Sequence, residues 1–184
     1  LLNYVRRKGL ECLNWDENSI ALLKRIRCAI EWLPEQDWPA MDDESLLLEL
    51  ESWLAPYMNS ITSLKQLNKM SLVPALLARL GWPLNKSIDE WLPTHYQMPT
   101  GNRKAIRYQP GSEPIISVRI QEVFGEHDSP MIAQGRKKIV LELLSPAQRP
   151  LQVTQDLAGF WSGSYKEVQK EMKGRYPKHP WPDD

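Results

Sequence analysis

The apolar residues of this chain keep one period up to Leu92 and another after Pro93, and that switch constrains the fold more than any single motif. In NWDENSIALLKRIRCAIEWLP, the residues Ile20, Leu23, Ile26, Cys28, Ile30 and Leu33 recur roughly every 3.6 positions, the spacing that gathers side chains on one face of an α-helix. Asp16 stands where a helix needs an acceptor for its first free amides, and Pro34 removes the donor that would continue it. MDDESLLLELESWLAPYM repeats the plan as a second helix, with Asp42 or Asp43 as cap, a face of Leu46, Leu47, Leu50, Trp53 and Leu54, and Pro56 beyond it. Shorter helices are expected over 62–68, 71–80 and 85–92, and a stripe of Leu1, Leu2 and Val5 ends at Gly9.

Past Pro93 the texture changes. Residues 104–108 alternate between turn signals at Thr100-Gly101 and Pro110-Gly111, which reads as a strand. IISVRIQEVFG, 115–125, fits either period, and Gly125 as a C-terminal cap tips it toward helix. Residues 136–144 and 151–156 read as an antiparallel hairpin that joins 104–108 in a small sheet. A short helix starts at Leu157 behind Asp156, breaks near Gly163, and gives way to a polar helix capped by Ser164 and ending at Gly174. The expected class is α+β: an all-helical N-terminal subdomain, 1–92, then an α+β C-terminal subdomain, 93–184, in which a small antiparallel sheet packs with helices and a Pro/aromatic segment closes the fold.

Composition excludes several classes. About 42% apolar and 25% charged residues is an ordinary globular balance, far from that of disordered chains. No apolar run approaches the roughly 18 residues needed to span a bilayer, so a soluble, cytoplasmic protein without membrane insertion is expected. Phosphate-binding GxxxxGK[ST], GxGxxG, HExxH and GxSxG motifs are missing, and Cys12 and Cys28 are too far apart for a CxxC pair, so no metal, no catalytic residue and no cofactor is expected in these 184 residues. His95, His127 and His179 would need the fold to gather them into a site.

What remains is charge and aromatic content. The net charge of zero divides into 10 Lys/Arg against 13 Asp/Glu up to residue 92, and 13 against 10 after it. The basic half is therefore the better match for an anionic partner. Arg103, Lys104 and Arg107 lie along one predicted strand, where alternation puts Arg103, Ala105 and Arg107 on one face. With Arg149, Arg175 and Lys178 they form the expected nucleic-acid-binding set, acting on phosphates rather than on base sequence. Of the eight tryptophans, most sit beside helix ends or prolines and are expected in the core. Trp181, between Pro180 and Pro182, is the expected partner-binding anchor, although the prolines and Tyr176 also suit a segment packed back on the domain.

The run LELLSPAQRPLQVTQDLAGFWSGSYKEVQKEMKGRYPKHPWPDD, together with ESWLAPYMNSITSLKQLNKMSLVPALL, PTHYQMPTGNRKAIRY and ISVRIQEVFG, closely resembles the C-terminal region of the bacterial HrpB-type ATP-dependent helicases, a DExH-type family. The resemblance covers essentially the whole chain. It implies a non-catalytic accessory region of an RNA helicase whose ATP and Mg sites lie in a motor outside this segment, in keeping with a first residue that is not Met. The partners it implies are the motor domains of the same chain and RNA or another single-stranded nucleic acid. An alternative is a protein-interaction module that docks on its own motor or on a separate partner.

Overall fold

The computed structural model describes residues 1–183, which group into two compact units, Leu1–Leu92 and Pro93–Asp184. The first is helical throughout. Helix α1, Leu2–Lys8, stops at Gly9, whose φ of 92° an L side chain rarely adopts. Helix α2, Glu17–Trp32, opens on Asp16, which accepts from the Ser19 amide at 2.8 Å. It buries Leu22, Leu23, Ile26, Cys28, Ala29 and Trp32, but Ile20, expected on that face, is 41% exposed.

The single helix expected after Asp42 is two, α3 Asp43–Leu48 and α4 Leu50–Trp53. Glu49 leaves helical geometry at φ −109°, ψ 29°. The Trp53 indole donates to the Leu46 carbonyl at 2.8 Å, taking the acceptor that the Leu50 amide would use in a continuous helix. Leu46, Leu50, Trp53 and Leu54 are buried by this arrangement while Leu48 is exposed.

Three short helices complete the unit: α5 Leu64–Leu67, α6 Val73–Leu80 and α7 Leu84–Trp91. Arg25, only 8% exposed, reaches from α2 to the Asp89 carboxylate and to the Leu92 carbonyl, each at 2.9 Å. One buried guanidinium thus ties the last helix of the unit to its longest.

The second unit is α+β. Strands β1 His95–Gln97 and β2 Arg103–Ala105 form an antiparallel pair. Strand β3 is Ile115–Arg119, β4 Met131–Ile132, β5 Lys137–Lys138, β6 Val140–Leu144 and β7 Pro150–Thr154. A three-stranded sheet has the order β3-β6-β7, with β3 parallel to β6 and β7 antiparallel to it. Helices α8 Leu157–Ser162 and α9 Tyr165–Arg175 follow.

Several expectations change here. Residues 115–125 are not a helix: Ile116 and Val118 are buried on alternate positions of a strand, and Ile120 and Val123 belong to a 3₁₀ turn, whose period of three imitated the helical pattern. The sheet is mixed, because the crossover between 119 and 140 brings β3 alongside β6 in parallel. The basic strand pairs with β1, and its continuation meets the three-stranded sheet through an antiparallel bridge from Arg107 to Ile115. Gly174 lies inside α9 and Tyr176 caps it, while Ser164 makes no side-chain capping bond. Asp156 does cap α8, accepting from the Gly159 amide at 3.0 Å.

The core of this unit is aromatic. Phe124, Phe160, Trp161, Tyr165 and Trp181 stack edge to face or tilted, with centroids of neighbouring rings 4.9 to 6.3 Å apart. The closing segment is a strap across α9. Gln169 donates to the carbonyls of Trp181 and Pro182 at 3.0 Å and to the Asp183 carboxylate at 2.9 Å. The Tyr165 hydroxyl donates to the Pro182 carbonyl.

Candidate nucleic-acid interface

The basic residues of the second unit sit on elements of different kinds. Along β2 and its continuation, Arg103, Ala105 and Arg107 are exposed, whereas Lys104 and Tyr108 are half-buried and Ile106 is buried. The strand therefore turns Arg103 and Arg107 to the same side, four residues or roughly 13 Å apart. The Arg103 side chain has no hydrogen-bond or ion-pair partner among the described residues. Arg107 is held: its guanidinium donates to the Ser117 hydroxyl at 2.7 Å, which donates to the Glu142 carboxylate at 2.7 Å. This line of three fixes the direction of Arg107 and leaves its remaining N–H groups for a ligand.

Lys104 leans the other way, to 4.0 Å from Glu122. Burial alone would raise the Glu122 carboxyl, but hydrogen bonds from Thr100 and Asn102 and the charges of Lys104 and Arg119 hold it below the usual carboxylate range. Lys104 is thus engaged in a local latch with Glu122.

Arg149 lies in the turn between β6 and β7, where Ser145 fixes it through the Arg149 amide at 3.1 Å and carbonyl at 2.8 Å. Its side chain is exposed and makes no ion pair among the described residues. Because Leu144 pairs with both Arg119 and Pro150, Arg149 shares its end of the sheet with Arg119. The sequence reading missed Arg119, since the helical assignment hid the alternation that leaves it exposed at the end of β3. Arg107 bridges Ile115 at the opposite end of β3. The bridge is antiparallel, so the chain from Arg107 back to Arg103 runs toward the Arg119 end of β3, where Asn102 and Lys104, the neighbours of Arg103, meet Glu122.

Arg175 and Lys178 belong to α9 and the strap. Arg175 pairs with Glu171 at 3.7 Å, both well exposed, a contact worth a few tenths of a kcal/mol. Lys178 is exposed. No hydrogen bond or ion pair among the described residues ties either to Arg103, Arg107, Arg119 or Arg149. Trp181, expected to face a partner, is 6% exposed and is used by its own unit: its ring meets Phe124 at 6.0 Å and its indole donates to the Tyr176 carbonyl at 3.0 Å. The most exposed indole is instead Trp82, at 81%, in the helical unit. No group of three or more His, Cys, Asp or Glu residues is placed to hold a metal among the described residues, and none of their helices is long and apolar enough to cross a membrane.

The profile of the family described as "ATP-dependent helicase C-terminal" matches residues 53–184. The chain belongs to this family. A curated relative, the ATP-dependent RNA helicase HrpB of Escherichia coli K12, is 56% identical over 184 residues, all of this chain and 23% of the relative. The crystal structure of the E. coli DExH-box NTPase HrpB superposes with a TM-score of 0.97 at 56% identity, over 100% of this chain and 23% of that one. A second, of the E. coli DEAH/RHA helicase HrpB, gives 0.86 at 54% identity over 98% and 23%. This member of the helicase C-terminal family therefore spans about a quarter of the length of the proteins it matches.

Proposed function

We propose that this chain is the non-catalytic C-terminal region of a cytoplasmic ATP-dependent RNA helicase, supporting motor domains of the same polypeptide and holding single-stranded nucleic acid through phosphate contacts. ATP and Mg would be bound by that motor. The observation that carries the reading is the pair Arg103 and Arg107, turned to one side of one strand, the first unpaired and the second braced through Ser117 to Glu142. Arg149, with Arg119, supplies a third contact further along. A guanidinium presents planar, paired donors that suit a phosphate and carry no base-sequence information.

Titration of fluorescently labelled single-stranded RNA with the 184-residue chain tests this. Three phosphate contacts predict an affinity that falls about tenfold to twentyfold between 50 and 200 mM salt, and Arg103→Ala/Arg107→Ala should lower the slope of log K against log salt by about 1.4. Absence of binding at 50 mM salt, or a slope untouched by the double substitution, sinks the proposal. A second reading, docking on the motor or another protein, draws on the exposure of Trp82. It predicts a nuclease-insensitive association with the motor domains that Trp82→Ala weakens and Arg103→Ala does not.

A further inference from the structure

We propose that a cavity of the second unit binds an organic cation on an alkyl stem, either a free polyamine or the side chain of an arginine or lysine from a peptide. The cavity, about 380 Å³, is formed where β1 and the segment after it meet the loop that precedes β4. Its size lies within the range of small-ligand sites. Met98, Leu141 and Leu157, all buried, give it an apolar lining, and Tyr96 from β1 adds an aromatic ring. Glu126 and Asp128 contribute two carboxylates, neither with a side-chain hydrogen bond or ion pair among the described residues.

This composition selects the sign and the shape of the ligand. Two uncompensated acids beside apolar surface favour a cation, because a charge partly removed from water interacts more strongly with its counter-charges. The methylenes of the stem suit the leucine and methionine lining, and the face of a tyrosine attracts an ammonium or guanidinium. No Lys or Arg lines the cavity among the described residues. Lys104, which pairs with Tyr96 across the hairpin, is drawn to Glu122. A phosphate would meet repulsion here, so the cavity is distinct from the arginines of the proposed nucleic-acid surface, and the inference does not rest on that reading.

Backbone amide shifts of the 184-residue chain, recorded during titration with spermidine and separately with N-acetyl-arginine amide, test the site. N-acetyl-citrulline amide, neutral and nearly the same shape, serves as control. The expected result is saturable change centred on residues 96–98 and 126–128, with little change for citrulline at the same concentration. Asp128→Asn and Glu126→Gln should each weaken binding about tenfold, and Tyr96→Leu should weaken it less. Saturation by spermidine alone identifies a polyamine site, by the arginine amide alone a peptide site, and by both the shared chemistry. Shifts that fail to saturate by about ten millimolar, that citrulline reproduces, or that both acid variants retain, overturn it. Spectra of the variants without ligand show that each is folded before its titration is read.

Discussion

Glu122 shows how much one side chain can organise. It accepts from Thr100 and Asn102 and sits beside Lys104, so it fastens the hairpin of β1 and β2 to the 3₁₀ turn after β3. Its carboxyl is lowered in the folded protein, against the pull of burial. The stability it confers is therefore complete above its unfolded value, about 4.3, and is lost as pH falls through the lower folded value. Glu122→Gln should be less stable than the parent in urea at pH 7, and the difference should shrink by pH 3. An equal difference at both values would show that the charge of Glu122 is not what holds the hairpin. The same latch sets Lys104 apart from Arg103: adjacent residues on a strand face opposite sides, and of these two it is Lys104 that meets an acid among the described residues.

Among the elements, the strap has the largest single contribution to test. Trp181 is almost fully buried and is held by ring contacts and by its indole N–H. Trp181→Ala should cost about 3–5 kcal/mol in urea or thermal unfolding, the range for a large buried aromatic, whereas Lys178→Ala three residues away should change stability by less than about 0.5 kcal/mol. A small effect of Trp181→Ala would mean the strap adds little to the core. The prolines and aromatics of the last residues already pointed to a packed segment, and Asp16, Pro34 and Asp156 placed their helix ends correctly. The helix break at Glu49 was not legible, because it depends on an indole that takes a backbone acceptor. Nor was the parallel pairing of β3 with β6: period alone cannot say which strand lies beside which, and a 3₁₀ turn after β3 blurred the period itself. Arg103, Arg107 and Arg149 were found by residue type, but Arg119 was not, and that Arg119 and Arg149 share one end of the sheet is a property of that pairing.

At the scale of the whole molecule, each unit carries its own buried set, from Ile26, Leu46, Leu54 and Leu76 in the first to Ile116, Leu141 and Tyr165 in the second. Compact units with separate cores are able to fold alone. Residues 1–92 and 93–184, expressed separately, should each unfold cooperatively and give amide spectra close to those of the whole chain away from the junction. Failure of either half to fold would make the two a single cooperative body. If both fold, the salt-dependent RNA binding of the proposed function should follow residues 93–184.

The strap also sets a timetable. Phe124 and Trp181 are ring neighbours in the finished core, yet 57 residues separate them in the chain. At about 5–20 residues per second, a ribosome needs roughly 3–11 s to travel from one to the other. Throughout that interval Phe124, joined only in its later part by Phe160 and Trp161, lacks the indole that packs against it. The second unit is consequently one whose core is assembled late in its own synthesis, and its newborn form carries an uncovered aromatic surface until the strap arrives.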